Sequence, residues 1–347
     1  MATGGRDPAM RVGSAGVPSL SLRLLVPADS DVVAHWLANQ EMDLPDALVS
    51  RIPGIVRTLF EDGRLWGVCV VRQSEGEEGT DITAVGLAGV VDDDCLETYL
   101  KAPTPRLLLA LLERGGRCAK GPGLLGWRDI AKANSADGVN LFVFNWMQLE
   151  YNFGTEEGWN YLGFAYMMLT YYNRGFNVKQ VLFEGWSEFG REIIGAGFRE
   201  RHLFRAGTPV GLGRCVIEQE RMLFGLTREE AKSGPPDSAA SQLFMLRPAK
   251  ARLSEGEARV LLLALDDRED REISEILGIT SNAVKKKWDA IFKKVETELA
   301  FLLDDIDLHA EKIVKRAKKR QRILAHMKDN PQELRPWIWR RKPAIQH

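Results

Sequence analysis

The 347-residue sequence lacks the residue spacings of a metal protein or of a disulfide-rich domain. Its four cysteines contain no CxxC pair, and its five histidines are scattered along the chain. Metal sites and disulfide frameworks usually leave short, regular spacings of these residues. The sequence therefore predicts no metal site, and it predicts that the cysteines are free thiols in or near the core.

The sequence also lacks a long apolar run. A helix that crosses a bilayer needs about 20 predominantly apolar residues, and runs such as Val260–Leu265 are far shorter. Residues 1–18 are rich in Gly, Ala, Ser and Pro and contain no apolar core of the signal-peptide type. We expect a disordered leader over 1–18, a cytoplasmic location and no membrane partner.

The formal net charge of −1 conceals a basic C-terminal part and an acidic remainder of the chain. Residues 309–347 contain 12 Lys and Arg against three acidic residues, whereas the first 308 residues contain 35 against 45. A basic end on an acidic body is typical of a chain that meets a polyanion at that end. The alternatives are a solvated tail, an oligomerisation helix and a segment that binds another partner.

Hydrophobic periodicity divides the chain into two structured parts. Strand-like and helix-like segments alternate over 19–231, and a stretch rich in Ser, Pro and Gly then predicts a linker over 232–250. Helical periodicity covers 251–303, and the tail, 304–347, contains a basic helical segment. The predicted fold class is an α/β (α+β) N-terminal domain with a C-terminal all-α domain and a basic helical tail.

The most specific local pattern lies within residues 253–295. Ser254, followed three residues later by a glutamate, has the spacing of a capping box at a helix start. Gly278 suits a tight turn between helices, and Thr280 suits the N-cap of the next helix. An apolar stripe at helical spacing along that helix includes Trp288, which we therefore place in the core. The pattern predicts a helix-turn-helix.

Polar and basic residues occupy the other faces of the second helix of this pattern. The N-terminal residues of a recognition helix reach base edges, whereas cation–phosphate contacts position the module. We assign Ser281, Asn282 and Lys286 to bases. The full set of predicted DNA-binding residues is Thr280, Ser281, Asn282, Lys285, Lys286, Lys287, Lys293 and Lys294.

This segment resembles the LuxR/GerE-type helix-turn-helix, which is related to region four of sigma factors. The matching residues are Leu253-Ser254, Glu257, Val260-Leu261, Glu272–Ile279, Val284-Lys285, Ile291 and Lys294-Val295. The resemblance implies a regulator that binds double-stranded DNA, and the small interface of one module favours a homodimer. Two features depart from the family: Ala283 replaces the usual Thr, and residues 253–300 carry eight basic against 11 acidic residues. The alternative is a trihelical interaction module that does not bind DNA.

A second resemblance rests on the order of segments in the N-terminal domain. Leu162–Arg174, Gly175-Phe176, Val178–Glu184 and Gly195–Arg199 follow one another as in the second half of the GNAT acyltransferase fold. The resemblance implies a loop for the CoA pyrophosphate at a helix N-terminus, here within 151–158. This loop lacks the family pattern, and its two glutamates would place negative charge beside a pyrophosphate. We therefore expect no cofactor, with acetyl-CoA disfavoured, and assign no catalytic residue.

These observations favour a DNA-binding transcription regulator whose GNAT-like domain senses a small-molecule effector or serves assembly. The candidate ligand pocket comprises Tyr151, Asn152, Gly154, Thr155 and Glu184. Glu184 also lies at a strand end where a general base could act, although we favour a structural or pocket role. One alternative is an acyl-CoA-dependent N-acetyltransferase that carries a helix-turn-helix as a targeting module. Another alternative is a purely structural adaptor.

Overall fold

The computed structural model describes residues 19–38, 44–73, 80–119, 121–149, 154–210, 215–235, 238–265, 267–303 and 312–338. The predicted leader at 1–18, the pocket candidates Tyr151 and Asn152, and residues 304–311 and 339–347 of the tail lie outside the described residues. In the described ranges, every helix is too short or too polar to cross a bilayer. The same ranges contain no group of three or more His, Cys, Asp or Glu residues that could hold a metal ion.

Seven strands form one mixed sheet, in the order β1-β2-β3-β4-β5-β7-β6. All neighbouring strands are antiparallel except β4 and β5, which are parallel. Parallel neighbours need a crossover connection, and the helix Glu156–Thr170 lies between these two strands in the sequence. The strands are β1 (Ser19–Leu24), β2 (Leu65–Gln73), β3 (Thr80–Val91), β4 (Val139–Gln148), β5 (Val178–Trp186), β6 (Arg199–Phe204) and β7 (Arg221–Thr227).

Helices cover both faces of this sheet, because side chains alternate between the two faces along each strand. The helices are α1 (Ser30–Ala38), α2 (Asp46–Val49), α3 (Ile52–Glu61), α4 (Asp93–Lys101), α5 (Leu107–Glu113), α6 (Trp127–Asn134), α7 (Glu156–Thr170), α8 (Gly190–Gly195) and α9 (Arg228–Ser233). One apolar cluster joins the sheet to α1, α3, α4 and α5, and another joins it to α6, α7 and α9. We call this part, residues 19–233, the sheet domain.

The mixed α/β sheet is confirmed, but its last two strands differ from the sequence prediction. The sequence over 214–223 has the strand-like pattern of a last strand, whereas the structure has β7 at Arg221–Thr227 and an additional edge strand, β6. Four of the six β6 residues are exposed, and three of these are charged. Because an edge strand tolerates charged side chains, its composition does not predict a strand.

The prediction of free thiols is wrong for one pair of cysteines. Cys95 in α4 and Cys118 after α5 form a disulfide, with Cα atoms 5.8 Å apart. The chain folds back beside them because the Asp92 carboxylate accepts hydrogen bonds from the backbone N–H groups of both Cys95 and Gly123. A separation of 23 residues carries no short-range spacing signal, so the pairing is visible only in three dimensions.

Four further helices share a second apolar core. They are α10 (Glu255–Leu265), α11 (Asp270–Leu277), α12 (Ser281–Glu298) and α13 (Lys312–Asp329), and we call them the helical unit. Gly278 ends α11 in the left-handed conformation with φ of 61°, and Thr280 caps α12 by accepting from Ala283 N at 3.1 Å. Ile323 and Met327 of α13 are buried in the same core. The basic helix therefore packs onto the three helices that precede it.

Residues 330–338 bond to both parts of the protein, and we call them the C-terminal strap. Glu333 accepts two hydrogen bonds of 2.7 Å from backbone N–H groups at the start of the helical unit. Arg335 donates to backbone carbonyls that follow α7, and burial lowers its pKa to about 10. The carbonyl of Pro336 accepts from Asn134 Nδ2 at 2.9 Å. The strap thus joins the helical unit to the sheet domain.

Part of the predicted linker is also packed. Helix α9 begins at a capping box between Thr227 and Glu230, and Ala240 and Leu243 are buried against the sheet domain. The Glu230 carboxylate also accepts from Arg201 on β6. Burial alone would raise the pKa of Glu230, but Arg201 and the Thr227 backbone lower it from the ordinary 4.5 to about 2.

Acid should therefore weaken this corner of the sheet domain. Because the pKa of Glu230 is lower in the folded state, its contribution to stability is present above about pH 4.5 and is lost as the pH falls toward about 2. We expect Glu230→Gln to lower the free energy of unfolding at pH 7 and to flatten its slope with pH over that window. Urea titrations at successive pH values would measure this. The exposed neighbour gives the control, Glu229→Gln, and equal slopes in both variants would contradict the prediction.

Candidate functional site

The N-terminal half of α12 separates a buried stripe from an exposed polar face. Val284, Trp288 and Ile291 are at most 1% exposed. Ser281, Asn282, Lys285 and Lys286 are exposed on the other faces of the helix. This separation is what a recognition helix requires, since one face must hold the module together while the other remains open to the groove.

The lysines predicted to bind DNA fall into different environments. Lys285, Lys286 and Lys293 are exposed and take part in no ion pair within the described ranges. Lys287 is half-buried and extends beside Gly256 at the start of α10. We therefore regard the first three as the cations that α12 presents to solvent.

Lys294, one of the residues predicted to bind DNA, is bonded inside the protein. Its Nζ is 2.6 Å from Glu257 Oε2 and 2.9 Å from the carbonyl oxygen of Arg252. Burial acts to raise the pKa of Glu257, but the bonds from Lys294 and the Ser254 backbone lower it overall. Lys294 thus neutralises a buried carboxylate between α10 and α12, so its charge is paired inside the helical unit.

The basic helix α13 also directs cations at the helical unit itself. Arg316 pairs with Asp289 at 2.6 Å, Lys319 pairs with Glu296, and Arg320 pairs with Asp270 at 2.8 Å. The Arg316 and Arg320 guanidinium groups also lie over the rings of Phe292 and Trp288. The sequence shows the excess of positive charge in the tail, but not that three of its cations cover acidic residues of α11 and α12.

In the sheet domain, β4 and β5 separate part-way along their length. They pair in parallel from Val139 opposite Val178 to Val143 opposite Phe183. Beyond that point, within the residues that the structure describes, β4 pairs only with β3, and β5 pairs only with β7. Glu184, a candidate pocket residue, immediately follows the last parallel pair and therefore lies at the start of the strand opening.

Glu184 is 4% exposed and is fully engaged by protein groups. One carboxylate oxygen accepts from the backbone N–H of Arg106 at 2.6 Å, and the other accepts from the Arg221 guanidinium. Arg221 in turn lies 4.4 Å above the ring of Trp186. Burial, together with the Glu184 charge, raises the pKa of the nearby Tyr99 hydroxyl well above its usual range. The arrangement suits a structural ion pair rather than a general base that meets a substrate.

The other described pocket candidates lie at the N-terminus of α7. Thr155 caps this helix by accepting from Gly158 N at 3.1 Å, and Gly154 precedes it in a turn. Glu157 in the first turn pairs with Arg72 on β2 and accepts from the Tyr161 hydroxyl at 3.2 Å. Thr155 therefore engages one N–H group of the helix end that the GNAT resemblance assigns to a pyrophosphate, and Glu157 adds a negative charge in its first turn.

No protein-family model and no curated protein match this sequence. Among solved structures, it is similar to Arabidopsis thaliana NAA60 in complex with acetyl-CoA, at 10% identity and a TM-score of 0.34, over 60% of this chain and 99% of that one. It is also similar to a protein from Desulfovibrio desulfuricans described as a GNAT-family acetyltransferase, at 11% identity and a TM-score of 0.29, over 60% of this chain and 98% of that one. The resemblance of residues 253–295 to the LuxR/GerE-type helix-turn-helix rests on the sequence alone.

Proposed function

We propose that this protein is a DNA-binding transcription regulator that contacts DNA with the N-terminal half of α12. The observation that carries the proposal is the exposed polar face formed by Ser281, Asn282, Lys285 and Lys286 directly after a tight interhelical turn. Asn and Lys side chains can bond to base edges in the major groove. The opposite face of the helix is buried, so this surface is held rigidly.

The packing of α13 supports this role electrostatically. Residues 253–300 carry more acidic than basic residues, which would repel phosphates. The ion pairs of α13 compensate three of those acids, Asp289, Glu296 and Asp270. Lys285, Lys286 and Lys293 then contribute the uncompensated charge of α12. Because one module of this size makes a small interface with DNA, we propose that the protein binds as a homodimer.

Charge reversal on α12 tests this function. We expect Lys285→Glu with Lys286→Glu to weaken DNA binding at least about tenfold and to reduce the log–log salt slope by at least about one, the change for one lost phosphate contact. The measurement is fluorescence anisotropy of labelled genomic DNA fragments at several salt concentrations. Two exposed cations of the sheet domain provide a control with the same net charge, Arg191→Glu with Lys232→Glu. Equal losses in both variants, or no DNA binding by the unaltered protein at low salt, would contradict the proposal.

The parallel strands β4 and β5 separate toward their carboxyl ends, where open α/β sheets bind ligands, and this favours a second candidate function. In this alternative the protein is an acyl-CoA-dependent N-acetyltransferase, with the helical unit as its targeting module. The capped and acidic start of α7 weighs against it, because a pyrophosphate needs unoccupied backbone N–H groups and no adjacent carboxylate. Calorimetry with acetyl-CoA separates the two candidates. A saturable heat would support the acetyltransferase, and its absence at millimolar acetyl-CoA would count against it.

A further inference from the structure

A cavity of about 140 Å³ lies between the sheet domain and the helical unit. The ends of β1 and β2, together with α6 and the end of α7, form one wall, and α10 and α11 form the other. The strap closes one side through Leu334, Arg335 and Pro336. The lining includes Leu24, Trp66 and Met168 on the first wall and Leu262 on the second.

Three polar side chains that line this cavity are already bonded within the protein. Trp66 Nε1 donates to Asn173 Oδ1 at 3.1 Å, and Asn173 Nδ2 donates to the carbonyl of Met168 at 2.9 Å. Arg335 donates to backbone carbonyls, and its guanidinium lies over the ring of Phe176. Most of the remaining lining residues are apolar, so an occupant meets mainly rings and aliphatic chains.

The charged residues of the cavity carry both signs. Glu61 and Asp62 are exposed, and Asp62 is within 3.4 Å of Arg64. Glu255 and Arg259 face the cavity from α10. A charged occupant would have to lose its hydration in a mainly apolar interior, which is costly, so the occupant that fits the lining is uncharged.

The size of the cavity sets the size of the occupant. An apolar protein cavity of about 150 Å³ stays dry and binds benzene. A cavity of about 140 Å³ therefore holds one ring, or a fused pair of rings if the partly open side contributes. The partly exposed ring of Trp66, which stacks on Phe176 behind it, offers an aromatic surface against which such a ring packs.

We propose that this interface cavity is a binding site for a small, uncharged, mainly apolar ring compound of the size of benzene or indole. Because both parts of the protein line the site, an occupant stabilises their docked arrangement over any arrangement in which they separate. The effect of an occupant on DNA binding rests on the proposed function, whereas the binding itself does not.

Thermal unfolding of the full chain with benzene or indole as the probe tests the site. We expect both probes to raise Tm in proportion to the logarithm of their concentration once bound. Leu24→Trp and Leu262→Trp fill the cavity from opposite walls and should abolish the rise. Leu162→Trp, on the outer face of α7, provides the matched control and should keep it.

An enlarged cavity keeps the test decisive if the filled variants do not fold. Met168→Ala removes side-chain volume from the wall, so we expect indole to raise its Tm by more than that of the unaltered protein. No rise for either probe in both the unaltered protein and Met168→Ala would overturn the proposal. An unchanged rise in a folded Leu24→Trp or Leu262→Trp would also overturn it.

DNA anisotropy with and without saturating indole gives the second readout. We expect the DNA affinity of the unaltered protein to change at least twofold and that of Leu262→Trp to stay constant. A Tm response without any DNA binding would contradict the proposed function and leave the cavity assignment intact. DNA binding without any Tm response would contradict the cavity assignment alone.

Discussion

Replacement of Glu184 by alanine is expected to lower the free energy of unfolding by about 3–5 kcal/mol, because it leaves the buried Arg221 without its carboxylate partner. Arg221 is 2% exposed, so water cannot solvate its unpaired guanidinium group. The backbone N–H of Arg106, which donates to the same carboxylate at 2.6 Å, also loses its acceptor. Urea unfolding followed by circular dichroism measures the change.

A double variant that removes both charges distinguishes the cost of an unpaired Arg221 from the contribution of the ion pair itself. Glu184→Leu together with Arg221→Met replaces both charges by apolar groups of similar size, and such replacements are often neutral or stabilising. We expect the double variant to recover most of the stability that the single variant loses. If Glu184→Ala unfolds at the same urea concentration as the unaltered protein, the ion pair is not structural and a role in ligand chemistry gains support.

Replacement of Trp288 by alanine is expected to have a comparably large effect, about 3–5 kcal/mol, centred on the helical unit. Trp288 is 1% exposed, and its Nε1 donates to Asp270 Oδ1 at 3.2 Å. The Arg320 guanidinium lies 4.5 Å above its ring and also pairs with Asp270. The truncation therefore opens a cavity in the core and removes the surface on which α13 is held.

The controls for Trp288 use a second tryptophan and a conservative change. Trp159 is 62% exposed on α7, so Trp159→Ala should alter the free energy of unfolding by less than about 0.5 kcal/mol. Trp288→Phe keeps most of the ring and should lose less than Trp288→Ala. Urea unfolding measured by helical circular dichroism compares the three. An equal loss for Trp159→Ala and Trp288→Ala would contradict the assigned core.

The helix boundaries and caps of the helical unit follow from local signals, and the sequence predicts these well. Thr280 caps α12 and Gly278 takes the left-handed conformation, as their chemistry requires. Trp288 is in the core, because helical spacing places it on the apolar stripe. Each of these inferences needs only residues within a few turns of one another.

The pairings that define the candidate sites depend on residues that are distant in the sequence. The partner of Glu184, Arg221, is 37 residues away, and the partner of Lys294, Glu257, is also 37 residues away. A charge count includes all four residues but cannot show that they neutralise each other. For the same reason the sequence predicts a basic tail without showing that its cations face acids of α11 and α12.

The strap has a consequence for the order in which the protein is assembled on the ribosome. Residues 330–338 follow both the sheet domain and the helical unit, so they are synthesised after either part. Domains generally fold as units as they emerge, N-terminal first. The bonds that Glu333 accepts and Arg335 donates then form last. The interface cavity is therefore completed only when α13 and the strap have left the ribosome, after the sheet domain has had time to fold separately.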